Sequence, residues 1–124
     1  MIVIDTSALI ASLSGTATAA ARLRAFLADG ERIAVPTLVL YEWWRGPRTT
    51  QELRAQEALL PSEEALSFGQ TEAAAAARLY GVVTKPRSRE IDLAIAACAL
   101  VRDAKLWTLN MGDFADVPGL MLVT

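Results

Sequence analysis

The chain opens on three apolar residues, Ile2-Val3-Ile4, and the run stops at Asp5. No polar residue alternates with them, so the segment suits a strand covered on both faces, as in parallel sheets with helices on either side. Ile33-Ala34-Val35 has the same character. Leu106-Trp107-Thr108-Leu109 and Leu120-Met121-Leu122-Val123 are strand-like, and Ala65-Leu66-Ser67-Phe68 is a further short candidate. Helical segments separate them. Thr6-Ser7 have the N-cap chemistry for a first helix running to Leu13, and Gly15 breaks it. Thr16 or Thr18 caps a second helix, with Ala20, Leu23, Phe26 and Leu27 at helical spacing and Asp29-Gly30 at its end. Pro36-Thr37 opens a third, closed by Gly46-Pro47. Residues 49–60 form an amphipathic helix before Pro61, and Gln70-Thr71 caps an alanine-rich one through Ala73–Ala77. Glu90 to Ala104 is helical and too apolar for a surface helix. Short strands alternating with helices predict a three-layer α/β/α sandwich around a mainly parallel sheet. No internal repeat or linker divides the chain, so one domain over residues 1–124 is expected.

Composition removes whole classes of chemistry. The 124 residues include no histidine and one cysteine, Cys98. A Ser-His-Asp or Cys-His triad, a zinc site built on His or paired Cys, and any disulfide are excluded. The histidine acid–base pair of metal-free ribonucleases is excluded as well. Neither G-x-x-x-x-G-K nor G-x-G-x-x-G occurs. The longest apolar run, Leu93 to Val101, has nine residues against the ~20 of a membrane span. Asp5 interrupts the start before a signal-peptide core can form. A soluble, cytoplasmic domain with no membrane association is expected. If it is an enzyme, carboxylates must do the work, and isolated carboxylates at neutral pH most naturally hold a hard divalent cation.

In parallel α/β sheets, ligands bind beyond the carboxyl ends of the strands. Asp5 directly follows the first strand, a costly place for an unpaired charge. Asn110 and Asp113 follow the Leu106–Leu109 strand. Asp92 lies in the first turn of the apolar helix, where the helix dipole alone would also favour an acid. Glu42 is a single charge among the apolar residues Leu38 to Trp44. Brought close together, these acids would raise one another's pKa unless a cation neutralised them. An oxygen-only set of this kind is what Mg²⁺ or Mn²⁺ takes, and its chemistry is metal-assisted phosphodiester hydrolysis.

The segments M-I-V-I-D-T-S-A-L, P-T-L-V-L-Y-E-W-W-R-G, I-D-L-A-I-A-A-C-A-L and L-W-T-L-N-M-G-D-F, with V-P-G-L after them, resemble the PIN-domain ribonucleases. The resemblance is strongest to the VapC-type toxins of bacterial toxin–antitoxin pairs and runs from residue 1 to about 123 in order and spacing. It implies a Mg²⁺- or Mn²⁺-dependent endoribonuclease acting on structured RNA such as tRNA or rRNA. It makes Asp5 and Asp92 the principal metal ligands, with Glu42 and Asp113 the third and fourth acids. Thr6 or Ser7 would orient Asp5, and Asn110 would neighbour the metal or the scissile phosphate. The relative roles of Asn110 and Asp113 stay open. A VapB-like antitoxin lying across the site and a homodimer are the implied protein partners.

Ten of the 12 basic residues are Arg, the better phosphate fork. Arg45, Arg48 and Arg54 follow Glu42, while Lys85, Arg87 and Arg89 precede Asp92. Arg45, Arg87 and Arg89 are candidate contacts to an RNA backbone, with a solvated loop as the plain alternative. Local basicity beside acids, on a chain of net charge −2, suits a selective substrate better than bulk nucleic-acid binding. Trp43 and Trp44 point about 100° apart on a helix, so one belongs to the core and the other to an interface. Cys98 reads as a small core residue. Two rival readings are weaker. A haloacid-dehalogenase-type phosphatase wants a second Asp where Ser7 stands, and a non-catalytic interaction module would have no need of all four acids.

Overall fold

A computed structural model describes residues 1–124. Its sheet has three parallel strands, β1 (Ile2–Ile4), β2 (Ile33–Ala34) and β3 (Lys105–Trp107), in the order β2-β1-β3. Ile2 pairs with Ile33 and Lys105, and Val3 pairs with Ala34 and Leu106. Around the sheet run α1 (Thr6–Ser14), α2 (Ala17–Ala28), α3 (Thr37–Arg45), α4 (Thr50–Leu59), α5 (Gln70–Val82) and α6 (Glu90–Leu100). All three residues of β1 are buried although successive side chains point to opposite faces, so both faces of the sheet are covered. The α/β/α architecture expected from the sequence is the one found. No helix is long and apolar enough to cross a membrane.

The two weakest strand expectations shrink to single bridges, Pro36 with Leu66 and Leu106 with Leu122. Leu66 donates its N–H to the Val35 carbonyl and accepts from Thr37. Pro36, opposite it, has no N–H with which to extend a ladder. On the other edge, Leu106 donates to Met121 and accepts from Val123. β3 also starts and ends earlier than expected. Beyond Trp107 the chain leaves the ladder, because the N–H groups of Leu109 and Asn110 donate to the hydroxyls of Ser7 and Thr108.

Helix ends follow local chemistry, with one alternative settled and three corrections. Thr16, not Thr18, caps α2 by accepting from Ala19 N–H, and Gly30 at φ +80° terminates it. Thr6 and Ser7 do not cap α1. Asp5 holds the cap position, its carboxylate accepting no backbone N–H of the first turn, and both hydroxyls are turned to carboxylates instead. Gly69, not Gln70 or Thr71, precedes α5, and the Glu72 carboxylate accepts its N–H at 3.0 Å. The same carboxylate pairs with Arg102 at 3.0 Å, which ties α5 to the end of α6. Helix α6 stops at Leu100 rather than Ala104: Asp103 turns left-handed at φ +52°, and Ala104 N–H donates back to the Ala99 carbonyl.

Every residue from Leu93 to Ala99 is buried, so α6 is the interior helix its composition required. It packs on α3, α5, β1 and β3. Trp43 is 0% exposed and Trp44 is 51% exposed, which divides the pair as their angular separation demands. Trp107 is packed edge-on against Phe26, with ring centroids 5.3 Å apart. Cys98 is fully buried, and burial pushes its thiol up to about 11, so it is no nucleophile.

Candidate active site

The parallel register sets the carboxyl ends of β1 and β3 side by side, because Ile4 pairs with Trp107. The residues that follow, Asp5 and Thr108, therefore meet beyond the sheet edge. Asp5 is 4% exposed, and its Oδ2 accepts from Thr108 Oγ1 at 2.7 Å and Ser7 Oγ at 3.0 Å. Two hydroxyls on one oxygen fix the plane of this carboxylate. Ser7 and Thr108 are themselves 3.2 Å apart and each receives a backbone N–H, so the small network is closed.

Thr6 faces the other way. Its Oγ1 donates to Glu42 Oε1 at 2.6 Å, so consecutive residues of α1 hold two different acids. Glu42 Oε2 also meets Arg45 at 3.4 Å, and the Arg45 guanidinium lies 5.2 Å from the centre of the Tyr41 ring. The sequence left Thr6 and Ser7 as alternatives for orienting Asp5. The hydrogen bonds assign that place to Ser7, with Thr108 as the stronger partner.

Asp92 stands in the first turn of α6, half-buried and without a hydrogen-bond partner. Burial raises its carboxyl from the ordinary 3.8 to about 6, and repulsion from Asp5, Asp113 and Glu42, in that order, adds to the shift. Arg89 opposes it. Four acids whose first and last are 108 positions apart in sequence (5 and 113) thus share one electrostatic neighbourhood. Asp113 is exposed on a short 3-10 turn, Met111–Asp113. Asn110, also exposed, anchors its backbone on Thr108, and its side-chain amide is free.

No three of these carboxylates converge tightly enough to enclose an ion among themselves. The oxygen-only donor set still fits Mg²⁺ or Mn²⁺, since Mg²⁺ keeps several waters and is usually held by one or two carboxylates. Asp5, pre-oriented, and Asp92, unpartnered and crowded by like charge, are the pair with that character. Glu42 is already engaged by Thr6 and Arg45.

The basic residues differ from one another. Arg87 is exposed and makes no bond. Arg89 is engaged through both terminal nitrogens: it pairs with Asp116 at 2.6 and 3.0 Å and donates to the carbonyls of Thr84 and Asp113 at 2.8 and 2.9 Å. Asp116 is held below the usual carboxylate range by that guanidinium. Thr108 and Asp116 were not singled out from the sequence. Thr108 read as part of the Leu106–Leu109 strand, and it falls just beyond the strand only because β3 ends at Trp107. No sequence signal marked Asp116.

A family described as the PIN domain matches residues 2–120. A toxin–antitoxin complex from Klebsiella pneumoniae is similar over 100% of this chain and 97% of its own, at 28% identity and a TM-score of 0.78. A member of the VapBC family of toxin–antitoxin systems from Mycobacterium tuberculosis, VapBC-5, shares 30% identity over 98% of this chain and 97% of its own, at a TM-score of 0.64. VapBC2 from Rickettsia felis, bound to a DNA fragment from its promoter, has the same fold at 21% identity and a TM-score of 0.75, covering 99% and 98% of the two chains. Among curated proteins none matches the sequence.

Proposed function

The chain belongs to the PIN domain family, and from that premise we propose that it is the ribonuclease toxin of a toxin–antitoxin pair, cutting phosphodiester bonds in structured RNA with Mg²⁺ or Mn²⁺. The single observation that carries this reading is the convergence on Asp92 of repulsion from Asp5, Asp113 and Glu42. Like charges gathered in a partly dry place raise the free energy of the fold, and a doubly charged ion is the ligand that reverses their cost.

Asp5 and Asp92 would hold the ion, and the charges of Asp113 and Glu42 would add to its attraction. When bound, the ion supplies electrophilic activation of the phosphodiester and of water. Ser7 and Thr108 keep Asp5 from rotating away, and Thr6 fixes one carboxylate oxygen of Glu42. The free amide of Asn110 would hold a phosphate oxygen, and Arg87 and Arg45, both exposed, would meet the RNA backbone. In the reaction a water oxygen forms a bond to phosphorus, one P–O ester bond breaks, and the departing oxygen takes a proton. The acids stand outside the three cavities of the molecule, which are lined by other residues.

A VapB-like antitoxin is the partner this reading requires, since the similar structures from Klebsiella pneumoniae and Mycobacterium tuberculosis are toxin–antitoxin systems. Exposed Trp44 and Tyr41, beside Glu42 on α3, give such a chain or a second copy of this one an aromatic surface to cover. The test is to incubate the purified, antitoxin-free protein with total RNA in Mg²⁺ and in EDTA and to sequence the released ends. Defined ends in Mg²⁺ alone support the proposal. Identical RNA under both conditions overturns it.

A further inference from the structure

We infer that Arg89 is a positioning residue, a latch that fixes the spacing between Asp92 and Asp113, and not a group that grips RNA. The inference rests on the nuclease reading above and deepens it.

Arg89 occupies the cap position of α6, so its backbone sets where Asp92, three residues on, enters the site. Its side chain runs the other way, across to the 113–116 segment. One nitrogen takes the Asp113 carbonyl at 2.9 Å and one oxygen of Asp116 at 2.6 Å; the other takes the second oxygen of Asp116 at 3.0 Å and the Thr84 carbonyl at 2.8 Å. Thr84 N–H returns a bond to Asp116 at 3.3 Å. One planar fork therefore joins the backbone of one candidate ligand to the start of the helix that carries the other. Phe114 and Val117 anchor the loop of Asp113 in the core, and neither reaches across to α6 as the Arg89 fork does.

Two further features agree with a latch. The intervening loop holds Lys85 at φ +51° and Ser88 at φ +67°, left-handed conformations that are strained for a non-glycine residue in the absence of outside support. Arg89 and Asp116 close that loop at both ends. The Arg89 side chain is only 19% exposed and both its terminal nitrogens are spent within the protein, whereas Arg87 is exposed and unengaged. A phosphate would have to displace a bidentate ion pair to reach Arg89.

The experiment compares wild type, Arg89→Met, Arg89→Lys and Asp116→Asn. Three readouts are taken: Mg²⁺ titration of the melting temperature, RNA cleavage kinetics, and backbone amide exchange over residues 84–89 and 113–117. Loss of the latch in Arg89→Met and in Asp116→Asn should raise the half-saturating Mg²⁺ about 10-fold, in the range for groups that orient metal ligands. Amide exchange at 113–117 should accelerate in both, and KM for RNA at saturating Mg²⁺ should stay within about twofold, as expected for a residue that touches no phosphate. Arg89→Lys keeps the charge without the fork and should fall between. The latch is overturned if Asp116→Asn matches wild type, or if Arg89→Met raises KM and flattens the salt dependence with exchange unchanged. A wild type that cuts no RNA in Mg²⁺ would sink the nuclease reading instead, while amide exchange still reports on the latch.

Discussion

Removing the charge of Asp92 should stabilise the metal-free protein while abolishing its activity. The carboxyl titrates at about 6 in the fold against 3.8 ordinarily, so the folded state prefers the neutral acid. At pH below 3.8 it is protonated in both states and costs nothing. As pH rises toward 6, the unfolded chain releases its proton first, and stability falls through that window before levelling off. At about 1.4 kcal/mol per pH unit, the displacement corresponds to about 3 kcal/mol. Solvent reaches part of the side chain, and halving the figure for screening leaves about 1.5 kcal/mol. In a domain of this size that is a rise of about 5 °C in melting temperature. Asp92→Asn in EDTA at pH 7.5 should therefore melt above wild type by about this amount, and the two should coincide near pH 4. Adding Mg²⁺ should raise the wild type and leave the variant unmoved. Thermal melts by circular dichroism across pH 4–8 give the answer. A variant that melts at or below wild type in EDTA at pH 7.5, or one that differs equally at pH 4, would refute the reasoning.

Asp5→Asn should eliminate RNA cleavage and growth inhibition while leaving the far-ultraviolet spectrum intact; full toxicity in the variant would remove Asp5 from the mechanism. Thr108→Val deletes the 2.7 Å bond to Asp5 and should lower cleavage about 10- to 100-fold at a stability cost of about 1 kcal/mol, measured by kinetics and urea unfolding. Trp43→Ala empties a fully buried site and should cost about 3–5 kcal/mol, whereas Trp44→Ala should change stability little and weaken antitoxin binding in calorimetry. Equal stability losses at the two positions would contradict the division of the pair.

The order of elements was legible because each rests on local chemistry: an unbroken apolar run for β1, Gly30 for the end of α2, and continuous apolarity for α6. What was not legible depends on partners distant in sequence. The segment at 65–68 has strand composition, but Pro36 opposite it ends the ladder at one bridge. Thr6 and Ser7 look like caps, and only the register of β1 against β3, which brings in Thr108, turns Ser7 to Asp5. Glu42 comes to Thr6 by the packing of α3 on α1. At the site, the four acids were found by their places after strands and within apolar helices. Arg89 resembled a phosphate contact in sequence, and its engagement by Asp116 could be seen only once the 84–89 and 113–116 loops were adjacent in space.

The most direct measurement is a crystal of the protein grown with Mn²⁺ and examined by anomalous scattering. A manganese peak bridging Asp5 and Asp92, lost in Asp5→Asn, is the predicted result. A peak elsewhere, or none in a preparation that still cuts RNA, would contradict it.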